Sequence, residues 1–270
     1  MAITTIDGII AGAQTQQTFI KALTGTMVAG RPISTWGLAG IPGAGSYDTT
    51  LNGVTLDNTA NGSLPFTNPG AGFTYLTRMV GGANIGGTLV LCDRLWHNGG
   101  YTISSTSAQN STTPSWPSRD NNASANGEGV FIGLEVSATT GSGTPTLTLN
   151  YTNSAGTASR SSTNVVSTVA SSVLRTFYPI GLQTGDKGVR SVQSLTLSAT
   201  WTSGTINLVA YREIARLALS NGPSSFVSGS IDPLSGGFPR IMDSSCLFFL
   251  FYPSTTTTSN ITGQVGWTQG

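Results

Sequence analysis

Apolar and polar residues alternate one for one over several stretches of the chain. Val130, Ile132, Leu134 and Val136 alternate with Phe131, Gly133 and Glu135, and Leu147, Leu149 and Tyr151 alternate with Thr146, Thr148 and Asn150. Leu195, Leu197, Ala199 and Trp201 alternate with Ser and Thr; after the hairpin-like link 201–205, Ile206, Leu208 and Ala210 resume the pattern. Residues 73–80 and 87–96 read the same way, and in the second run Leu89, Leu91 and Leu95 share a face with Asp93. Such alternation lays one face of a strand on a core and turns the other to water. Clusters such as Gly141-Ser-Gly143 and Ser203-Gly204 bound the runs. A succession of about eight short strands predicts an all-β fold, a jelly-roll-like β-sandwich.

Three stretches break the rhythm. In residues 5–27, Ile6, Ile10, Ala13, Ile20 and Leu23 fall near one helical face, although Gly8 and Gly12 weaken a helix by roughly 1 kcal/mol each. Residues 30–72, rich in Gly, Pro, Asn and Thr, carry no period and predict an extended arm. The expected organisation is therefore an N-terminal arm with a short helix over 1–72 and a sandwich body over 73–270. Residues 246–252, Cys-Leu-Phe-Phe-Leu-Phe-Tyr, are apolar on both faces, as in a central strand or one covered by another chain. Residues 95–129 form a long insertion holding Trp96, Tyr101 and Trp116. Loops of that length are commonly contact sites.

Composition narrows the function classes. Charged residues are only 9% of the 270, with Lys+Arg 12 and Asp+Glu 11, while the chain holds 35 Gly, 33 Ser and 40 Thr. A near-neutral chain lacks the basic face that displaces counterions from phosphates, which excludes a general nucleic-acid binder. No apolar stretch reaches the roughly 18 residues of a membrane span, and the start carries no basic signal region. The expectation is a soluble protein made in a cytosol, with no membrane contact. Cys92 and Cys246 each sit in an apolar run, as buried thiols do; a disulfide is the alternative.

Catalytic patterns are weak. The lone His97 has Asp93 and Ser104 as sequence neighbours for a triad, but no Gly-x-Ser-x-Gly elbow exists, and a hydrogen-bonded structural His is the simpler reading. Glu128 and Glu135, seven residues apart on one extended run, would be roughly 23 Å apart, too far for a glycosidase pair. Nothing in the sequence brings Asp120 and Asp186 together. Gly40-Ile-Pro-Gly-Ala-Gly45 lacks the context of a phosphate loop. One His and two distant Cys make no metal site. No cofactor, metal or enzymatic activity is expected. Arg78, Arg94, Arg175, Arg190 and Arg212, in or beside strands, fit either strand-edge ion pairs or subunit contacts. Trp96, Tyr101 and Trp116, with the Thr- and Ser-rich strand faces, are candidate glycan or partner contacts. The simpler reading is that neutral faces are buried against neighbours without desolvating ions.

Four segments carry a family likeness: Gly30-Arg-Pro-Ile-Ser-Thr-Trp36, Ser63-Leu-Pro-Phe-Thr-Asn-Pro-Gly-Ala-Gly72, Gly87-Thr-Leu-Val-Leu-Cys-Asp-Arg-Leu-Trp-His97 and Gly185-Asp-Lys-Gly-Val-Arg-Ser-Val192. With the arm and the Thr/Ser/Gly-rich sandwich, they resemble structural proteins of tailed-bacteriophage virions. The resemblance implies a capsid decoration (cement) protein on the capsid surface. Its partners would be the major capsid protein and neighbouring copies of itself, as a homotrimer or other cyclic oligomer. On that view Phe19, Ile20, Leu23 and Trp36 are the arm's assembly contacts. The other implied role is a tail, baseplate or head-fibre protein that binds host glycan.

Overall fold

The computed structural model describes residues 3–219 and 227–270. After helix α1 (Ile6–Ala11) come β1 (Gln17–Leu23), β2 (Ile33–Ser34), β3 (Gly40–Ile41), β4 (Val54–Thr55), β5 (Thr74–Ala83), β6 (Gly87–His97), β7 (Gln109–Asn110), β8 (Val130–Ala138) and β9 (Leu147–Asn153). There follow β10 (Arg160–Thr163), β11 (Phe177–Pro179), β12 (Val189–Leu197), β13 (Thr205–Leu219), β14 (Val227–Ile231), the one-turn α2 (Pro233–Gly236), β15 (Arg240–Ile241), β16 (Leu247–Pro253) and β17 (Ser259–Gln269). The strands form three antiparallel sheets. The central one runs β11-β8-β13-β6-β16-β2, with β4 also on β6. A first flanking sheet runs β14-β5-β17-β1-β3, with β15 also on β5, and a second runs β10-β9-β12-β7. The expected all-β, sandwich-like fold with a short N-terminal helix is what the chain adopts.

Both flanking sheets pack on the same face of the central sheet. Leu89 and Leu91 of β6, Leu217 of β13 and Phe249 of β16 form one core with Phe19, Leu23, Met79, Val265 and Trp267 of the first flanking sheet. Farther along, Leu95 of β6, Leu134 of β8 and Leu208 of β13 form a second core with Leu149, Tyr151, Leu195 and Leu197. Side chains of the opposite parity, among them Val90, Val209, Phe248 and Leu250, point to the back and pack with Trp36, against which Tyr47, Leu56 and Ala60 also lie. Residues 247–251 are thus a central strand covered on both faces by its own chain. The β6–β13 ladder shifts register between Ala210 and Tyr211 and again between Glu213 and Ala215. These bulges lie where the two long strands pass from one sandwich to the other.

The N-terminal region departs from expectation. The helix stops at Ala11, capped by Gly12. Residues 17–23 are a strand whose Phe19, Lys21 and Leu23 point inward and whose Thr18, Ile20 and Ala22 point out. A period of two was present there, but the buried Lys21 disguised it. Strand β1 pairs along its whole length with β17, from Gln17 opposite Val265 to Leu23 opposite Ser259. The packing therefore has no boundary at residue 72, and deleting an "arm" would remove an interior strand.

The extended segment beyond β1 wraps over its own body. Lys21 is fully buried, and its Nζ donates to the carbonyls of Leu38 (2.7 Å), Pro42 (2.6 Å) and Gly43 (3.2 Å). Burial, and then nearby Arg175, lower its pKa to about 8, so it stays charged at neutral pH. Trp36 Nε1 donates to Ser46 O at 2.8 Å, and a Cβ on Gly45 would collide with the indole. Both cysteines are free, buried thiols.

Candidate functional site

Charged chemistry concentrates where β6 crosses between the sandwiches. Asp93 and Arg94 are adjacent, so their side chains leave opposite faces of the sheet. Asp93 accepts from Ser245 Oγ (2.8 Å) and Cys246 N (2.9 Å), with Arg119 Nε 3.1 Å away. Arg119 also donates to the carbonyls of Ser244 (2.6 Å) and Leu56 (2.7 Å), tying the long 95–129 insertion to two other segments. On the other face Arg94 Nη1 donates to Glu135 Oε2 at 2.7 Å. Its guanidinium lies over Trp36, 4.7 Å from the ring centre, and Tyr47 Oη donates to Glu135 Oε1 at 2.9 Å. Burial first, then the Glu135 charge, push the Tyr47 phenol upward.

His97 belongs to this cluster as an acceptor. Arg94 Nε (3.2 Å) and Nη2 (2.9 Å) both face its Nδ1. A guanidinium only donates, so Nδ1 carries the lone pair and Nε2 the proton. Burial and the Arg94 charge lower the His97 pKa to about 2. Asp93 is on the other face of the strand, so no Asp93–His97 pair forms. Each charged group here is engaged by its own chain, so the cluster ties strands of the central sheet to one another and to the segments that cover it. Asp120 is likewise consumed: it accepts from the amides of Asn122, Ser124, Gly127 and Glu128 and from Ser124 Oγ. Burial opposes its ionisation, but these bonds outweigh it and lower its pKa. Glu135 is buried in β8 and Glu128 lies before that strand, so they form no carboxylate pair. Among the described residues no three His, Cys, Asp or Glu side chains gather as metal ligands.

Most contacts expected from the sequence turn inward. Of the arm residues, Phe19, Leu23 and Trp36 are buried in the chain's own cores, because β1 and the wrapped segment are parts of the body. Only Ile20 is on the surface, 46% exposed and paired across strands with exposed Ile41. The three aromatics expected to meet a glycan or partner are buried too. Trp96 and Trp116 pack with ring planes tilted by 50° and centres 5.4 Å apart, and Trp116 Nε1 donates to Val189 O at 2.7 Å. Tyr101 bonds Asn98 and Ser111. The insertion that carries them is the end wall of the second sandwich, so none offers an open ring face. Among the arginines, Arg94 and Arg212 are interior, whereas Arg78 and Arg190 are exposed. Sequence reasoning missed Lys21, Arg119 and the Arg94–Glu135 pair. Lys21 has one signal, a charge at an inward position of an alternating run; Arg119 and the Arg94–Glu135 pair have none, because Arg119 sits on an irregular segment and Glu135 on the face that the alternation turns to water.

The outer surface has a different character. Seven charged residues are buried: Lys21, Arg94, Arg119, Arg212, Asp93, Asp120 and Glu135. Taking four cations from 12 and three anions from 11 leaves eight of each outside, a sum of zero. Eight of these sixteen are exposed and the other eight half-buried. Spread over 10957 Å² of accessible surface, that is about 1,400 Å² for each exposed charge. A standard protein interface takes about 800 Å² from each partner. An interface-sized patch of this surface therefore averages fewer than one exposed charge. Apolar side chains are exposed instead, including Ile6 (75%) and Ile10 (67%) on α1. Beside α1 runs a groove of about 460 Å³ lined by Ile3, Ile6, Ile9, Tyr75 and Phe238.

No protein-family model and no curated protein sequence matches the chain. Among solved structures it is similar to the VP2 subviral particle of infectious bursal disease virus, with 7% identity and a TM-score of 0.17 over 100% of this chain and 83% of that one. It is also similar to the T=1 particles derived from that virus, with 8% identity and a TM-score of 0.15 over 96% and 79%. Likeness at these scores carries no argument about function.

Proposed function

We propose that the chain is a non-enzymatic structural subunit of a virion, of the capsid decoration kind. It would lie on the capsid surface and bridge the major capsid protein and neighbouring copies of itself. The observation that carries this reading is the electroneutral, charge-poor surface. Covering it against a neighbour strips water from few ions, which removes the largest desolvation cost of association. The same surface leaves exposed isoleucines free to supply apolar contact area. The four segments that resemble virion proteins of tailed phages point the same way.

The structure changes how such a subunit would work. With β1 built into the body, bridging falls to the surface of a folded sandwich and to the exposed α1. The test is copy number per purified particle, by quantitative mass spectrometry against the major capsid protein. Hundreds of copies in simple ratio to the capsid protein are expected. A few to a few dozen would move the chain to the tail or a vertex, and its absence from particles would end the reading.

A further inference from the structure

Two features at opposite ends of β1 complement each other. At the Gln17 end, helix α1 buries none of its residues. It is held to β17 by Thr268 Oγ1 donating to Ile9 O (2.9 Å) and by Gln269 N donating to Gly12 O (2.9 Å). Six residues are too few for a helix to persist in water unsupported. Its exposed side chains are Ile6, Asp7, Ile10 and Ala11: three apolar groups and one carboxylate.

At the Leu23 end lies a cleft of about 230 Å³ whose walls include Val28, Ile33, Val169 and Val173, with Arg31 among its lining. Arg31 stacks over the Tyr178 ring, 6.0 Å from its centre, and its Nε is buried without a hydrogen-bond partner. Four ion pairs form among the described residues, and Arg31 is in none of them. An apolar cleft carrying one unpaired guanidinium fits an apolar segment carrying one carboxylate. The chain's own α1 cannot supply it, because the seven residues of β1 hold the two features roughly 23 Å apart.

We propose that α1 of one copy docks in the Arg31 cleft of the next, with Asp7 paired to Arg31 and Ile6 and Ile10 on the valine walls. This rests on the reading of the chain as a self-assembling subunit. Since plug and socket are different surfaces at opposite ends, the contact is head-to-tail. Each copy then uses α1 on one neighbour and its cleft on the other, which generates a ring where the rotation closes.

Sedimentation equilibrium of the full chain tests this with Asp7→Arg, Arg31→Asp and the double variant. Circular dichroism melting serves as the control for folding. The expected result is an oligomer for the native chain, at least tenfold weaker association for either single reversal, and recovery to within about threefold in the double variant. Ile10→Ser should weaken association without altering the melt. A native oligomer that either reversal leaves unchanged, or a double variant no better than the singles, overturns the contact while leaving self-assembly standing. A native chain that stays monomeric at all concentrations overturns both, and particle copy number still decides the virion reading independently.

Discussion

The two sandwiches share a central sheet but are closed by different parts of the chain. The second is built from segments that follow one another, β6 to β13. The first joins residues nearly the whole length of the chain apart, Gln17 opposite Val265. Its strands also carry glycines in mid-sheet, Gly81 and Gly82 in β5 and Gly263 in β17, where Gly263 leaves room for the Phe19 ring. Local closure favours early formation, whereas the first sandwich waits on a long loop. The chain therefore carries one sandwich that can form early and another whose completion needs residues 17–23 and 259–269 together.

The strongest way to break this contrast is to remove residues 1–23. That deletes β1, uncovers the core under Phe19, and should abolish cooperative unfolding of the first sandwich, with hydrogen exchange surviving mainly in β8, β9, β12 and β13. Removing residues 1–12 alone should leave the melt near native. If the longer truncation melts like the native chain, distant closure is dispensable.

At the junction, Arg94→Met leaves Glu135 buried without its ion partner and should cost about 3–5 kcal/mol in urea unfolding. Adding Glu135→Leu should return much of it; no recovery would mean that the pair acts through more than charge. Matched truncations separate the cores. Phe249→Ala should cost about 3–5 kcal/mol and Leu149→Ala about 2–5, with exchange accelerating first in the sandwich that holds the mutation.

Acid gives a smaller, graded effect. The folded-state pKa of His97 lies far below its unfolded value of 6.5, so below that pH the unfolded chain binds a proton that the folded one refuses. Stability should fall by about 1.4 kcal/mol per pH unit as pH drops below 6.5, before most carboxylates titrate. His97 is the chain's one histidine, so His97→Gln should flatten that slope between pH 5 and 6.5. The smallest effect belongs to the outer face of β1, where Ile20→Thr should stay within about 0.5 kcal/mol.

The second sandwich is legible in the sequence because its flanking strands keep one wet face, so Thr146, Thr148 and Asn150 mark the outside as clearly as Leu147 and Leu149 mark the inside. The first is not, for local reasons. Lys21 occupies an inward position, glycines blank out parts of β5 and β17, and the partner of β1 comes from the opposite end of the chain. Trp96, Tyr101 and Trp116 lie on a long insertion, which reads as a contact loop; nothing local shows that it folds back to cap a core. Alternation did place Asp93 on an inward face with Leu91 and Leu95. What it could not supply was Arg119, whose partnership exists only in three dimensions.

Lys21 has a consequence for how residues 38–43 are held at the edge of the first flanking sheet. Three carbonyl oxygens around an ammonium resemble the oxygen ligands that a protein gives a small metal cation. Here the cation is part of the strand. Chelators cannot extract it and dilution cannot release it, so the segment around it is clamped by an ion with no dissociation constant. Short of alkali strong enough to take its proton, the clamp opens when β1 itself lets go.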